Sequence, residues 1–190
     1  PREKDIEFMS TPEDRIAYIC SRLPSIFSVI KEIIFNLQKI ALDIKLETLL
    51  DLGSGPGTVM YAVTDILNLE NITLVEKDRY LIEIGKRLAA NADIDSVKKA
   101  EWINCDINKM HNIPSYDLVT SSYVLNEMRE KDINNLIEHL WAKTNQFIIF
   151  AEPGTPDGFK RIKMVRSHLI SMGANIIAPC PHQNVCPITE

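Results

Sequence analysis

The sequence predicts an α/β fold with a doubly wound, mostly parallel sheet. From Thr48 onward, short apolar runs alternate with longer segments whose apolar residues recur at helical spacing. This alternation is typical of parallel strands joined by crossover helices. Two further observations agree with it: a glycine-rich turn at residues 53–57 follows the first apolar run, and Glu76 ends the second run. In such sheets, ligand-binding groups lie just beyond the carboxyl ends of the strands.

The predicted elements follow the apolar pattern along the chain. The first helix begins after the capping hydroxyl groups of Ser10 and Thr11 and runs to about Arg22. Pro24 should interrupt it, and a second, amphipathic helix follows over residues 26–41. Strands are predicted at 48–52, 72–76, 101–104, 117–120, 146–151 and 174–178, and helices at 56–68, 78–92, 130–143 and 156–172.

The chain divides into three predicted parts without an internal repeat or a flexible linker. Residues 1–44 form a helical segment that packs on the core, and residues 45–178 form the α/β domain. Residues 179–190 begin a loop that contains cysteines. Its prolines prevent it from forming a strand within a sheet.

Composition excludes several broad classes of protein. The 190 residues include 21 basic and 26 acidic side chains, and the net charge of −5 argues against sequence-independent adhesion to nucleic acid over the whole surface. No apolar run reaches the roughly eighteen residues of a membrane-spanning helix. The N-terminus lacks the pattern of a signal peptide, so we do not expect export. Four cysteines are too few for a disulfide scaffold and favour a reducing compartment.

The glycine-rich turn has a spacing that discriminates between ligands. Gly53, Gly55 and Gly57 alternate with other residues, whereas a dinucleotide-binding turn has the order G-x-G-x-x-G. Asp51 at the end of the preceding strand would repel a pyrophosphate and suits a ligand with a cationic end. Glu76, about twenty residues further on, can accept hydrogen bonds from both ribose hydroxyl groups. The alternatives are a plain tight turn and a nicotinamide-dependent oxidoreductase.

The order D-x-G-x-G-x-G resembles motif I of class I S-adenosylmethionine (SAM)-dependent methyltransferases, which have a Rossmann-like fold. The ammonium and sulfonium groups of SAM would explain Asp51. In these enzymes an acid after the third strand contacts the adenine amino group and a neighbouring amide contacts the ring, which points to Asp106 and Ile107; the alternative for Asp106 is a helix cap or turn residue. The resemblance implies that SAM is bound by Asp51, Gly53, Ser54, Gly55, Gly57, Glu76, Lys77, Asp106, Ile107 and Ser121.

The sequence does not identify a catalytic residue. No Asn-Pro-Pro-Tyr pattern of amino-group methyltransferases follows the fourth strand, and Cys105 lacks the neighbours of a covalent pyrimidine methyltransferase. Orientation alone can remove much of the barrier to methyl transfer. Tyr123, Asn126 and Glu127 either face the substrate or pack as a loop beside the cofactor.

Three further segments resemble the methyltransferase-like proteins of the small ribosomal subunit, which occur in mitochondria and bacteria. They are Tyr18–Pro24, Ala151–Phe159 and Ala178–His182 followed by Cys186 and Pro187. The likeness spans residues from about 15 to the end. It implies association with small-subunit rRNA during ribosome assembly and an rRNA methyltransferase activity, or else a non-catalytic assembly factor that keeps the cofactor fold. The location would be the cytoplasm of a bacterium or the mitochondrial matrix of a eukaryote.

The same resemblance implies a cysteine-bound metal centre, reported in the family as an iron–sulfur cluster. Cys180 and Cys186 match two of its ligands, with His182 as a further candidate. A cluster or a structural zinc site normally needs four ligands, so we expect no ordered metal here, and the pair could be two loop thiols. The family's final strand, which follows the cysteine segment, is also expected to be missing from a sequence that ends at Glu190.

A basic cluster follows the Glu-Pro-Gly-Thr-Pro segment on the last predicted helix. It is either a contact surface for RNA phosphate or an ordinary solvated helix face. Its residues are Lys160, Arg161, Lys163, Arg166 and His168. The sequence leaves the oligomeric state open.

Overall fold

Five parallel strands form one sheet at the centre of the described chain. The structure is a computed structural model that describes residues 11–110 and 113–188. The strands are β1 (Thr48–Leu52), β2 (Asn71–Glu76), β3 (Glu101–Asn104), β4 (Tyr116–Ser122) and β5 (Thr144–Ala151). The helices are α1 (Pro12–Ile40), α2 (Thr58–Thr64), α3 (Arg79–Ala90), α4 (Asp95–Lys98), α5 (Glu130–Trp141) and α6 (Pro156–Ser171), with short 3₁₀ helices at Ile107–Lys109 and Leu125–Glu127.

The strand order places a ligand-binding crevice in the middle of the sheet. The order is β3-β2-β1-β4-β5, and every neighbouring pair is parallel. The chain therefore proceeds outward from β1 in one direction as far as β3 and then resumes on the other side of β1 with β4. Ligands in open α/β sheets bind at such a reversal, outside the carboxyl ends of the strands.

Alternate residues of the central strands enter two separate hydrophobic cores. Leu49 and Leu118 lie in the core that is covered by α1 and α2. Leu50 and Val119 lie in the core that is covered by α5 and α6. Strands buried on both faces are expected in a parallel sheet with helices on either side.

The first helix is continuous, and the predicted interruption at Pro24 is wrong. Proline costs about 3 kcal/mol inside a helix, but contacts on both sides of Pro24 hold α1 together. After Pro24, Ile26, Ile30, Ile34 and Leu37 are buried. Before it, Arg15 forms an ion pair of 2.9 Å with Asp78. Local propensity was overridden by tertiary packing at both ends of the helix.

The predicted strand at 174–178 is also wrong. These residues have no strand structure, and only Ala174 among them is buried. Their two larger apolar side chains, Ile176 and Ile177, are only half-buried. Pro179 follows and has no backbone donor for a strand ladder. The remaining predicted strands and helices of the sheet region are present, with ends shifted by a few residues.

Candidate functional site

The glycine turn is fixed against the end of β2. The backbone N–H groups of Gly53 and Ser54 both donate to the carbonyl oxygen of Val75, at 2.9 and 3.1 Å. Gly53, Gly55 and Gly57 have φ angles of 65°, 54° and 86°. This left-handed region is costly for residues with a Cβ atom, so the sequence places glycine where the backbone requires it.

The three glycines face different surroundings. A Cβ atom on Gly53 would lie 2.4 Å from Cγ2 of Val124, and one on Gly57 would lie 3.1 Å from the ring of Trp102. A Cβ atom on Gly55 would have no neighbour within 4 Å. The backbone at Gly55 is therefore bare and faces open space, as required for the close approach of a ligand.

Glu76 lies beside this turn at the end of β2. Its Oε2 atom accepts a hydrogen bond of 2.9 Å from the N–H of Gly55, and its Oε1 atom accepts one of 2.8 Å from the N–H of Asp78. The side chain is only 7% exposed. Burial raises the pKa of the Glu76 carboxyl, and the backbone hydrogen bonds oppose that shift. Each oxygen keeps capacity for a further hydrogen bond, as ribose recognition requires.

Asp51 forms a second buried carboxyl group at the end of β1. Its Oδ1 atom accepts a hydrogen bond of 2.8 Å from Oγ1 of Thr120, whereas Oδ2 is buried and has no partner among residues 11–110 and 113–188. Burial, together with the nearby charge of Glu76, raises the pKa of Asp51 to about 7, and the hydrogen bond from Thr120 opposes this shift. An unpartnered acid of this kind is stabilised by a cationic ligand. The residues present therefore fit the ammonium end of SAM better than a phosphate.

The other residues predicted to bind SAM have mixed surroundings. Lys77 directs its Nζ atom to Oε2 of Glu127, at 2.7 Å. Asp106 is exposed and caps the 3₁₀ helix that follows β3, since its Oδ1 atom accepts from the N–H of Asn108 at 3.0 Å. Ser121 is buried, and its hydroxyl group has no hydrogen-bond partner in the described ranges.

Asp106 and Ile107 also line a groove of about 440 Å³. The groove lies between the 3₁₀ helix after β3 and α5, on the side where the crossover from β3 to β4 contains only that short helix. Its size is within the range of small-molecule sites. Its lining includes the two residues that the resemblance assigns to adenine, but neither Asp51, Glu76 nor a residue of the glycine turn.

Tyr18 on α1 lies within electrostatic reach of Glu76 and Glu127, and no chemical motif in the sequence singled it out. Burial raises the pKa of its hydroxyl group, and the charges of Glu76 and Glu127 raise it further. Arg15, one turn earlier, pairs with Asp78 directly after the end of β2. The first part of α1 therefore lies over the carboxyl ends of the strands. In the sequence, the segment Tyr18–Pro24 resembles the methyltransferase-like proteins of the small ribosomal subunit, but this resemblance does not indicate a role for Tyr18.

The loop after β4 is held in a strained conformation. Tyr123 has a φ of 62°, although it is not glycine. Its N–H donates to the carbonyl oxygen of Ala151 at 2.7 Å, and the N–H of Leu125 donates to Oε1 of Glu152 at 3.0 Å. A strained backbone conformation persists only where contacts with the surrounding structure hold it, and such conformations are frequent at functional sites. Glu152 belongs to the Glu-Pro-Gly-Thr-Pro segment, whose pattern indicates no chemical role for it.

The two cysteines predicted to bind metal do not form a metal site in the described chain. Cys180 is exposed, Cys186 is half-buried, and both are free thiols. No group of three or more His, Cys, Asp or Glu side chains in the described residues could hold a metal ion. Two cysteines fall short of the four ligands of a zinc or iron–sulfur site.

The predicted basic cluster on α6 makes contacts within the protein. Lys163 donates to the carbonyl oxygen of Ile188 at 3.0 Å, and Arg166 donates to the carbonyl oxygen of His182. These contacts hold the cysteine segment against α6. Lys160 pairs with Glu130 and His168 with Glu138 at the exposed surface. The acceptors of Lys163 and Arg166 are backbone carbonyl oxygens, and contact of these two side chains with RNA phosphate stays a prediction.

None of the helices in the described residues is long and apolar enough to cross a lipid bilayer.

Two solved structures with a similar fold are methyltransferases. The plantazolicin methyltransferase BpumL in complex with SAH superimposes with a TM-score of 0.60 at 17% sequence identity, covering 75% of this chain and 54% of that chain. The magnesium protoporphyrin IX methyltransferase of Synechocystis PCC 6803 with bound SAM gives a TM-score of 0.60 at 15% identity, covering 83% and 80%. These likenesses show that the chain has the class I methyltransferase fold, as the sequence predicted.

Curated relatives are mitochondrial proteins. Over 204 residues, the chain is 26% identical to the Rsm22-cox11 tandem protein 2 of Schizosaccharomyces pombe, covering 98% of this chain and 27% of that protein. It is 24% identical over 190 residues to the human mitochondrial ribosome assembly protein METTL17, covering 90% of this chain and 41% of that protein. The chain thus spans between about a quarter and two fifths of the length of these relatives.

A family described as the mitochondrial small ribosomal subunit protein Rsm22 matches residues 12–190. This range contains the glycine turn, both buried acids, the strained loop after β4 and the cysteine segment. Together with the sheet order and the methyltransferase fold, the match establishes that the chain belongs to the Rsm22 family.

Proposed function

We propose that this chain is the SAM-binding part of a protein that methylates small-subunit rRNA during ribosome assembly. The observation that carries the proposal is the convergence of two buried carboxyl groups, Asp51 and Glu76, beside the open backbone of Gly55. Acids at the ends of adjacent strands favour a positively charged adenosyl ligand and disfavour a pyrophosphate. The name of the human relative supports a role in ribosome assembly. The fold shared with a SAM-bound methyltransferase supports binding of the cofactor.

The proposed roles in binding follow from the surroundings of each residue. Glu76 accepts hydrogen bonds from the ribose hydroxyl groups, and Asp51 pairs with the ammonium group through Oδ2. Asp106 and Ile107 contact adenine beside the groove that they line. The cofactor supplies an electrophilic methyl group on a sulfonium ion. The walls of the crevice are completed by the remaining predicted SAM-binding residues, which are Gly53, Ser54, Gly57, Lys77 and Ser121.

The protein's contribution to methyl transfer would be orientation. Holding two reactants in a productive geometry can provide a large part of a rate enhancement without a general acid or base. The rigid attachment of the glycine turn to Val75 and of the loop after β4 to Ala151 and Glu152 supplies such a framework.

A non-catalytic assembly factor is the second proposal. It is favoured by the contacts of Lys163 and Arg166, which attach the cysteine segment to α6 and so give this surface a structural purpose. In that case the cofactor fold would stabilise a docking surface for rRNA. An iron–sulfur cluster would require further ligands from a longer protein. The names of the relatives favour mitochondria, and we propose the matrix as the location.

We also propose that the chain consists of three parts. Residues 45–178 form the SAM-binding domain. The helical segment predicted for residues 1–44 packs on it as a cover over residues 11–44, while residues 1–10 lie outside the described residues. Residues 179–190 begin the cysteine loop. The ion pair between Arg15 and Asp78 supports the first two assignments, and the contact between Arg166 and His182 supports the third.

The test combines cofactor binding with rRNA mapping. Calorimetry of the full-length protein with SAM is expected to show binding, and Gly55→Arg is expected to abolish it because the side chain would occupy the open space at Gly55. Modified nucleotides of the small-subunit rRNA are then mapped in cells that carry either form. Loss of one methylated nucleotide in the variant supports the enzyme. If the rRNA of the variant is fully methylated but assembly of the small subunit is impaired, the assembly factor is supported. If the unaltered protein does not bind SAM, the proposed binding roles of Asp51 and Glu76 are contradicted.

A further inference from the structure

The two acids of the proposed cofactor site are covered in the structure. Asp51 is 1% exposed and Glu76 is 7% exposed. The Oδ2 atom of Asp51, to which the ammonium group of the cofactor is assigned, is itself buried. A cofactor can therefore reach both carboxyl groups only after a covering segment moves. This inference rests on the proposed function, since it concerns access to that same site.

The first part of α1 lies over these acids. The ion pair of 2.9 Å between Arg15 and Asp78 is shielded from water, with 22% and 18% of the two side chains exposed. The guanidinium group of Arg15 also lies 5.3 Å from the centre of the Tyr80 ring. In turn, the N–H of Asp78 donates to Oε1 of Glu76. Tyr18, one turn after Arg15, lies within electrostatic reach of both acids.

This first part of α1 is attached less firmly than the rest of the helix. No side chain at residues 12–23 is buried. After Pro24, four apolar side chains are buried in the helix, namely Ile26, Ile30, Ile34 and Leu37. Segments with few buried apolar contacts open at a low free-energy cost, while well-packed segments stay closed. The two parts of α1 should therefore differ in how often they leave the sheet.

The boundary between the two parts is a weak point of the helix. Pro24 has no N–H group to donate to the carbonyl oxygen of Cys20, four residues earlier. On either side of it, the hydroxyl group of Ser21 donates to the carbonyl oxygen of Ala17 at 2.7 Å, and that of Ser28 donates to the carbonyl oxygen of Pro24 at 2.9 Å. Prolines and serine contacts of this kind both favour bending of a helix.

We propose that residues 12–23 form a lid on the cofactor crevice, which turns about Pro24 and is latched by Arg15 on Asp78. The cofactor enters and leaves when this latch opens. Because the latch does not use the cofactor's own binding groups, it holds the lid closed both before and after binding. Loss of the latch therefore speeds entry and exit by the same factor. Lids of this kind limit the rate of ligand exchange in many enzymes.

The kinetic test measures entry and exit separately. SAH, the demethylated form of the cofactor, is passed over the immobilised full-length protein in a surface plasmon resonance experiment. Arg15→Met keeps an apolar side chain over Tyr80 but removes the charge, and both rate constants are expected to rise about three- to tenfold. The dissociation constant is their ratio and should change by less than about twofold. A residue that only supports the binding site would instead raise the dissociation rate alone.

Two further variants of the same helix sharpen the test. Pro24 is exposed, so Pro24→Ala leaves no cavity and supplies the missing N–H group. The helix is then stiffer at the hinge, and both rate constants should fall about three- to tenfold. Lys31→Gln is the matched control, because Lys31 forms an ion pair with Asp65 from the firmly packed part of α1. Its rate constants should equal those of the unaltered protein.

Hydrogen exchange tests the lid without any cofactor. In the full-length protein, amides of residues 12–23 should exchange faster than those of residues 26–40. Arg15→Met should accelerate exchange in the first range about three- to tenfold and leave the second range unchanged. Equal protection of the two ranges, or no effect of Arg15→Met on the first, overturns the lid whether or not SAH binds.

The outcomes separate the lid from the proposed function. Failure of the unaltered protein to bind SAH contradicts the proposed function, while hydrogen exchange still decides whether the lid exists. Where SAH binds, a rise of both rate constants in Arg15→Met and a fall of both in Pro24→Ala support the lid. Unchanged rate constants in Arg15→Met, or a change of the same size in Lys31→Gln, overturn it.

Discussion

The N–H of Gly55 donates a hydrogen bond of 2.9 Å to Oε2 of Glu76, 21 residues further along the chain. This contact joins the turn after β1 to the carboxyl group at the end of β2. It leaves the backbone of Gly55 open on the other side, where a Cβ atom would meet nothing within 4 Å. The glycine turn and the acid are therefore one structural unit, with a bare backbone and a carboxylate presented to the same crevice.

Replacing Glu76 is expected to weaken SAM binding. Glu76→Gln removes the negative charge that accepts from ribose, and a hydrogen bond to a charged group contributes about 1.5–3 kcal/mol. The dissociation constant measured by calorimetry should rise about ten- to a hundredfold. Glu83→Gln, on the exposed face of α3, should bind SAM as the unaltered protein does. Equal affinity of the Glu76 variant would contradict the ribose assignment.

Binding of SAM should depend on the protonation of Asp51. Because burial raises the pKa of Asp51 to about 7, protonated Asp51 must lose its proton before it can pair with the ammonium group. The association constant should rise about eightfold from pH 6 to pH 7.5. Asp51→Asn should bind more weakly and lose this dependence. An unaltered protein with the same affinity at both pH values would contradict the pairing.

The same raised pKa fixes the sign of a stability effect in the cofactor-free protein. Folded Asp51 holds its proton more tightly than the unfolded chain, whose pKa is near 3.8. Its favourable contribution to the free energy of unfolding is present below that value and is lost as the pH rises through about 7. Chemical denaturation of the Asp51→Asn variant should show a smaller decrease over this range.

Gly55 and Gly173 allow backbone strain to be separated from ligand exclusion. Both have a positive φ, 54° and 91°, and a Cβ atom on either would have no neighbour within 4 Å. Alanine at each position should cost about 1–2 kcal/mol of stability for the left-handed conformation. Only Gly55→Ala should also weaken SAM binding, because its methyl group enters the crevice. Similar SAM affinities for the two variants would show that the ligand does not approach Gly55.

Gly85 supports the glycine turn through Trp102. A Cβ atom on Gly85 would lie 2.1 Å from the ring of Trp102, and the same ring lies 3.1 Å from the corresponding position on Gly57. Gly85→Ala should therefore lower the free energy of unfolding by about 1–3 kcal/mol and also weaken SAM binding, as the displaced ring moves the turn. Gly154→Ala has open space and should leave urea unfolding nearly unchanged or slightly favour the folded state. A Gly85 variant as stable as the Gly154 variant would show that Trp102 moves without cost.

Sequence patterns were sufficient for the central sheet because burial on both faces leaves a strong signal. The run that forms β1, with four of its five residues buried, was predicted with its observed bounds, 48–52. At the two ends of the chain, packing decided instead. Pro24 predicts a break by local propensity, but the buried isoleucines after it and the ion pair of Arg15 before it keep α1 continuous. Ile176 and Ile177 suggest a strand but make no ladder contacts.

The sequence by itself determined the sheet, the position of the glycine turn and the placement of Asp51 and Glu76 at strand ends. These features depend on local periodicity and on the short separation of β1 and β2 along the chain. Only the tertiary structure decided the surroundings of Tyr18, the use of Lys163 and Arg166 to hold the cysteine segment, and the unpartnered oxygen of Glu152. Each of these depends on elements that are distant in the chain. The physical reason is that burial and hydrogen-bond satisfaction are properties of the packed fold, whereas strand periodicity is a property of neighbouring residues.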